Sequence, residues 1–154
     1  MILCDSNVWL ALAVLQHPSH STALRWFERV TTPNTVLFCR ATQQSFLRLI
    51  TSASVLSPIG NPPLTNREAW NLYETLLTDD RIDFHVHEPP ALERHWQRFA
   101  QRDTASPKLW MDAYLAAFAV AGGYQLITID RAFSQFDGLD LILLSHVESG
   151  SDES

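Results

Sequence analysis

Short apolar runs alternate along the chain with segments in which apolar residues recur at helical spacing. The runs predict five buried strands, at residues 1–4, 35–39, 82–86, 124–129 and 139–144. The segments between them predict helices over residues 8–15, from Ser21 or His20, from Thr42, and over residues 65–77, 89–102 and 108–121. Strands that alternate with helices are typical of an α/β protein, here a three-layer α/β/α sandwich around a mostly parallel central sheet.

Residues that cap or break helices set the boundaries of these elements. Asn7 and Thr65 are expected to cap the helices that follow them, and the pair Gly122-Gly123 is expected to end the most apolar helix. Residues 51–65, which are rich in Ser, Pro, Gly and Asn, predict a mobile loop. Residues 149–154 predict a disordered acidic tail. No linker or repeat is evident in residues 1–148, which we therefore expect to form a single domain.

Composition narrows the functional classes only partly. The 154 residues are 46% hydrophobic, enough to bury the core of one domain. Because 11 basic and 17 acidic side chains give a net charge of −6, nucleic-acid binding through a basic surface alone is disfavoured. Binding at a metal site is still allowed, since a bound cation changes the local field. We expect no membrane span or signal peptide, and we expect Cys4 and Cys39 to be buried, reduced thiols of a cytoplasmic protein.

Three carboxylates stand out because their surroundings are almost free of charge. Asp5 is the only charged side chain in residues 1–24, and Asp112 is the only one in residues 109–129, which Asp130 directly follows. Asp5 and Asp130 follow predicted strands, and the carboxyl ends of parallel strands are where α/β sheets bind ligands. A carboxylate buried without a partner must be protonated, paired or bound to a cation. Three oxygen donors at one edge favour Mg²⁺ or Mn²⁺.

Each of these carboxylates also has a simpler interpretation. Asp5 and Asp130 are well suited to be helix N-caps, a position that favours Asp. Asp112 is well suited to interact with the dipole in the first turn of its helix. A strand that ends in Asp5-Ser6-Asn7 also fits a phosphatase of the haloacid-dehalogenase type, although that class needs a second Asp where Asn7 stands. The residues alone therefore predict a metal-binding α/β domain and leave the reaction open.

Four segments, taken in order, resemble a known family. Residues 1–10 read Met-Ile-Leu-Cys-Asp-Ser-Asn-Val-Trp-Leu, and residues 42–48 read Thr-Gln-Gln-Ser-Phe-Leu-Arg. Residues 111–116 read Met-Asp-Ala-Tyr-Leu-Ala, and residues 128–131 read Thr-Ile-Asp-Arg. The ordered set resembles PIN-domain proteins and, more narrowly, the VapC-type toxins of bacterial type II toxin–antitoxin systems. The resemblance implies that residues 1–148 are a PIN-like nuclease domain, a Mg²⁺- or Mn²⁺-dependent endoribonuclease that cleaves structured RNA such as tRNA or rRNA.

The resemblance also implies a catalytic set. Asp5, Asp112 and Asp130 match the family's metal-binding acids, and Thr128 matches a hydroxyl residue often found beside the last of them. The family usually has a Glu at the position of Gln43. We include Gln43 in the set as a neutral replacement, whose amide can offer a carbonyl oxygen or hold a water but brings no charge.

The missing carboxylate leaves two functional hypotheses open. Three acids should bind metal more weakly than four, unless Glu28 or Asp137 substitutes for the missing one. The first hypothesis is an active ribonuclease toxin. The alternative is a catalytically weakened PIN-fold module, marked by Gln43, that binds antitoxin or RNA.

Substrate and partner contacts are also suggested by the resemblance. Arg40, Arg48, Lys108 and Arg131 flank the predicted site and are candidate phosphate contacts, although each is equally explained as a solvated side chain. The family implies a homodimer and a small VapB-like antitoxin, whose amphipathic segment wraps the toxin and can place a basic residue in the acidic site.

The aromatic residues have a further role in this prediction. The chain has five tryptophans, which could stack on bases, but their helical positions are more typical of core or interface residues. Trp9, Leu10 and Trp26, near the first two helices, are candidates for a dimer or antitoxin groove.

Overall fold

Five parallel strands form the centre of the fold. The computed structural model describes residues 1–145, so the tail predicted at residues 149–154 lies outside the described part. The strands are β1 (Ile2–Cys4), β2 (Val36–Phe38), β3 (Ile82–Phe84), β4 (Gln125–Thr128) and β5 (Leu141–Leu143). Their order is β3-β2-β1-β4-β5, and every neighbouring pair in the described residues is parallel. The predicted α/β class is confirmed, with strands shorter than the predicted runs.

In residues 1–145, seven α-helices cover the two faces of this sheet. They are α1 (Ser6–Ala13), α2 (His20–Glu28), α3 (Arg40–Ile50), α4 (Ala53–Leu56), α5 (Asn66–Leu77), α6 (Leu92–Ala100) and α7 (Leu109–Gly122). Successive strand residues point to opposite faces. Leu3, Leu37 and Leu126 therefore pack with α6 and α7, whereas their neighbours in sequence pack with the helices of the other layer.

The strand order creates a switch point beside β1. The chain leaves β1 towards β2 on one side, and β4 later pairs with β1 on the other side. Ligands of open α/β sheets bind in the crevice at the carboxyl ends of strands where the order reverses in this way. Asp5 directly follows β1, and Asp130 follows β4 by two residues, so the fold brings both to this crevice.

Two boundary predictions are wrong and two are confirmed. The first helix is capped by Asp5 and not by Asn7, because the chain turns one residue after β1 and the Asp5 carboxylate accepts the Ser6 N–H. Residues 51–65 are not one loop, since they contain α4 and a 3₁₀ helix at Ser57–Ile59, with Leu56 only 2% exposed. Thr65 caps α5, and Gly123, with φ of 68°, ends α7 as predicted.

The core beneath the switch point is aromatic. The rings of Trp9 and Phe38 stack at 3.8 Å, and Tyr73 meets Phe38 edge-on at 5.1 Å. Trp9 and Leu10 are buried in the core, so the prediction that they join a dimer or antitoxin groove is wrong, whereas Trp26 is only half-buried. Cys4 and Cys39 are buried and unpaired, as predicted. None of the helices in residues 1–145 combines the length and apolarity needed to cross a bilayer.

Removal of the Phe38 ring tests how much this aromatic core contributes to the stability of the fold. Because Phe38 is fully buried between Trp9 and Tyr73, Phe38→Ala should lower the free energy of unfolding by about 3–5 kcal/mol. Val86→Ala is the control, since Val86 is exposed and its loss should change the free energy by less than about 0.5 kcal/mol. Urea titration of both variants gives the comparison, and equal midpoints would contradict the described packing.

Candidate active site

Asp5 is buried at the end of β1, and hydrogen bonds from Ser6 and Thr128 hold it there. One carboxylate oxygen, Oδ1, accepts the Ser6 backbone N–H at 2.7 Å, and Oδ2 accepts the Thr128 hydroxyl at 2.7 Å. The residue is 6% exposed. Burial raises the pKa of Asp5 and the charge of Asp130 adds to this rise, whereas the hydrogen bonds from Thr128 and Ser6 oppose it. The N-cap interpretation of Asp5 is thus correct, and the same carboxylate faces a second acid.

Thr128 joins the ends of β1 and β4. While its hydroxyl donates to Asp5, the oxygen accepts the Asn7 side-chain amide at 3.3 Å and the Asp130 backbone N–H at 3.0 Å. Asn7 also accepts the Ile129 N–H at 3.4 Å. Sequence reasoning missed this role of Asn7, because its partner lies 121 residues away. The hydroxyl therefore fixes the positions of two carboxylates.

Asp112 and Asp130 complete an acidic cluster with Asp5. Asp112 lies in the first turn of α7 and is half-buried. Burial raises the pKa of Asp112 to about 6, with the charges of Asp5 and Asp130 as further causes. Asp130 is exposed and caps the 3₁₀ helix Arg131–Gln135 by accepting the Ala132 N–H at 2.9 Å. N-capping explains the local geometry of Asp130, but it does not offset the electrostatic repulsion among the three acids.

No basic side chain offsets this repulsion by direct pairing. Within the described residues, the ion pair with an N–O distance below 4 Å is that of Arg81 with Asp79, and it involves none of the three acids. The same part of the chain contains no group of three or more His, Cys, Asp and Glu side chains arranged to hold an ion directly. The oxygen donors nevertheless fit Mg²⁺, which keeps several of its waters and can be held by carboxylates through them.

A hollow of about 720 Å³ opens beside the acids. Asp112 and Asp130 line it, together with Lys108 and Arg102. The Arg102 guanidinium donates to the Gln135 side-chain oxygen at 2.6 Å. Arg102 was not among the predicted phosphate contacts, because nothing in its sequence neighbourhood connects it with the acids. The hollow thus combines negative charge at its base with two cations.

Gln43 is buried at the start of α3, and its side chain is hydrogen-bonded to the Arg40 guanidinium. Its side-chain oxygen accepts from the Arg40 guanidinium at 2.6 Å, and the side chain also hydrogen-bonds to Tyr73. Burial raises the pKa of Tyr73, while Arg40 and the Gln43 hydrogen bond oppose this rise. The Arg40 guanidinium also lies over the Phe84 ring at 4.7 Å from its centroid. The neutral amide in the place of a family Glu is therefore engaged by a guanidinium.

The other candidate residues lie apart from the acidic hollow. Arg48 lines a different hollow with Trp70, and the exposed Arg131 opens the 3₁₀ helix after Asp130. Of the two acids considered as substitutes, Glu28 interacts electrostatically with Arg81. Arg81 precedes β3, which is an outer strand of the sheet. The other, Asp137, lines a neighbouring hollow.

The comparisons with known proteins agree with this fold. The family model of the PIN domain matches residues 2–139. The chain is 52% identical over 145 residues to Ribonuclease VapC41 of Mycobacterium tuberculosis, which covers 94% of this chain and 99% of the relative. Among solved structures, Mycobacterium tuberculosis VapC20, a sarcin-ricin loop cleaving toxin, has a TM-score of 0.61 at 21% identity and covers 91% of this chain and 98% of that one. Rickettsia felis VapBC2 bound to a DNA fragment from its promoter has a TM-score of 0.63 at 14% identity, covering 94% and 100%.

These matches define the class of the protein. The chain belongs to the PIN-domain family, and the predicted resemblance is confirmed. Within that family it is a homologue of the VapC ribonucleases, the toxins of toxin–antitoxin systems.

The Thr128 hydroxyl can be tested by its removal. Thr128→Val keeps the shape but leaves the buried Asp5 oxygen without its donor, so the free energy of unfolding at neutral pH should fall by about 1–3 kcal/mol. Thr128→Ser is the control because it restores the hydroxyl. Denaturant titration of both variants gives the answer, and a stability of Thr128→Val equal to that of the wild type would show that this hydrogen bond does not stabilise the fold.

The raised pKa of Asp112 predicts a pH dependence of stability in the metal-free protein. The folded state holds the proton up to about pH 6, whereas the ordinary value is 3.8, so the folded state binds more protons between these limits. The contribution of Asp112 to stability in EDTA should therefore be largest below about pH 4 and be lost as the pH rises to about 6. Asp112→Asn should remove much of this slope. A slope that is unchanged in thermal melts of Asp112→Asn would contradict the assignment.

Proposed function

We propose that this chain is a VapC-type toxin that cleaves structured RNA, such as a tRNA or rRNA stem-loop, with Mg²⁺ or Mn²⁺. The observation that carries the proposal is the acidic cluster of Asp5, Asp112 and Asp130 at the carboxyl ends of β1 and β4. The charge of Asp130 helps to raise the pKa of Asp5, the charges of Asp5 and Asp130 help to raise the pKa of Asp112, and the three acids have no basic partner in residues 1–145. A divalent cation would offset this repulsion, and the family is one of ribonucleases.

Each residue has a separate task in this mechanism. Asp5 and Asp112 would hold the ion, directly or through water, and Asp130 would orient the remaining shell. Thr128 keeps the Asp5 oxygen and the Asp130 backbone in place through its hydroxyl. An ion held there would lower the pKa of a water and neutralise charge on the scissile phosphate. Hydrolysis would form a bond from the water oxygen to phosphorus and break the bond from phosphorus to the 3′ oxygen, which would leave a 5′-phosphate and a 3′-hydroxyl.

The cations of the hollow have the properties needed to bind the RNA backbone. Lys108 at the start of α7 and Arg102 both line the hollow that contains Asp112 and Asp130. We propose that these two side chains contact phosphates on either side of the scissile bond. Arg40 and Arg131 are exposed and lie close in sequence to site residues, so they extend the candidate RNA-binding surface. Arg48 lines a separate hollow.

A basic partner segment would fit the same acidic site. Solved structures with the same fold include toxin–antitoxin complexes. We propose that a VapB-like antitoxin binds this chain and inhibits it by inserting a basic side chain among the carboxylates, and that the toxin is a homodimer. A cytoplasmic location is proposed with it, since the two buried cysteines are unpaired.

Loss of carboxylates tests the ribonuclease proposal directly. Asp5→Asn and Asp112→Asn should each lower metal-dependent cleavage of structured RNA by at least about a hundredfold, because each removes an ion ligand. Asp137→Asn is the matched control, since this exposed Asp lies outside the acidic hollow. Gel analysis of tRNA and rRNA with and without Mn²⁺ gives the measurement. Equal cleavage by all variants would refute the assignment.

Because the Gln43 side chain is hydrogen-bonded to Arg40, the second hypothesis also stays open. In that hypothesis the chain is a weakened PIN-fold module that binds antitoxin or RNA. Because Gln43 brings no charge and its oxygen is taken by Arg40, the ion has three carboxylates at most. Calorimetric titration with Mn²⁺ separates the two hypotheses. Binding in the micromolar to millimolar range supports the ribonuclease, whereas no binding combined with retained RNA or antitoxin binding supports the module.

A further inference from the structure

An aromatic hollow of about 300 Å³ lies beside the acidic hollow. It is lined by Ala41, Trp96, Pro107, Trp110, Met111 and Tyr114. Trp110 is 59% exposed and Met111 is 46% exposed, which is unusual for such large apolar side chains. Ligand pockets begin at roughly this volume, about 300 Å³, so the hollow suits a single ring system.

The polar atoms of the Trp96 and Tyr114 side chains are already hydrogen-bonded inside the protein. The indole N–H of Trp96 donates to the Trp110 backbone carbonyl at 3.0 Å, and the Tyr114 hydroxyl donates to Glu88 at 2.8 Å. Trp96 also meets the rings of Trp110 and Tyr114 edge-on, at 6.2 and 5.5 Å. The rings are therefore held in place and offer apolar surface to a ligand.

The position of the hollow limits the class of ligand that can bind there. Pro107 lines both hollows, and Met111 directly precedes Asp112 in α7. The adjoining acidic hollow, which shares Pro107, is lined by the cations Lys108 and Arg102. An apolar ring surface beside these cations, next to a site that would cut a phosphodiester, matches a nucleotide, whose base stacks while its phosphates contact the cations.

We propose that this aromatic hollow binds one unpaired base of the RNA substrate, with Trp110 as its main stacking surface. The inference rests on the proposed ribonuclease function and adds to it the requirement for an unstacked nucleotide next to the cleavage site. Because Trp96 and Tyr114 use their polar atoms internally, recognition depends on stacking and tolerates different bases. The substrate class is thus RNA with a single-stranded loop or bulge and not a continuous duplex.

Binding measurements in an Asp112→Asn parent, which cannot turn over, test the hollow independently of cleavage. The probes are a fluorescein-labelled RNA hairpin with a mixed-sequence loop and the same hairpin with an abasic loop. By fluorescence anisotropy, Trp110→Ala should weaken binding of the intact hairpin about tenfold, the loss expected for one base stack. It should not change binding of the abasic hairpin. Trp110→Phe should retain most of the affinity.

Trp70→Ala is the matched control, because Trp70 is also an exposed tryptophan but lies on α5 at a different hollow. Unchanged affinity in Trp110→Ala, or an equal loss with the abasic hairpin, would overturn the proposal. So would a shift from dimer to monomer in Trp110→Ala by light scattering, since the hollow would then be a subunit interface. No hairpin binding by the parent would overturn it as well. Failure of the ribonuclease proposal itself shows separately, as absence of cleavage by the wild-type protein.

Discussion

The buried carboxylate of Asp5 is the constraint on which the site depends. A carboxylate removed from water costs several kcal/mol unless donors replace the lost water. Here the donors are the first N–H of α1 and the hydroxyl at the end of β4. The same two hydrogen bonds therefore start α1, join β1 to β4 and point Asp5 at the crevice. Fold and site are stabilised by the same atoms, so neither can be changed alone at this position.

The sheet topology then determines which acids meet Asp5. Because β4 pairs with the side of β1 that β2 leaves free, the turn after β4 brings Asp130 to the same edge. Helix α7 leads into β4, and its first turn supplies Asp112. The result is negative charge that the metal-free protein can relieve by protonation, as the raised pKa of Asp112 indicates. Binding of a cation would relieve it at neutral pH and would stabilise the fold at the same time.

The sequence predicts the acids of this site better than it predicts their surroundings. Asp5, Asp112 and Asp130 are visible because charge is otherwise absent from their segments, and the family resemblance adds Thr128. The hydrogen bond from Asn7 to Thr128 spans 121 residues and has no local signal. Arg102 reaches the hollow only because residues 101–108 fold back beside the 3₁₀ helix after Asp130, where Gln135 accepts its guanidinium. Local spacing cannot predict such contacts between distant loops.

The environment of Gln43 changes the meaning of the missing Glu. A Glu at this position would face the Arg40 guanidinium and neutralise it, so that Arg40 would serve mainly as the partner of that acid. The neutral amide accepts the same hydrogen bond at 2.6 Å but leaves the guanidinium with its full charge. Arg40 precedes Ala41, which lines the aromatic hollow. In the proposed ribonuclease, the substitution removes one candidate ion ligand and leaves the charge of Arg40 without a carboxylate partner at this position. A weaker ion site would then coexist with a stronger attraction for the RNA backbone.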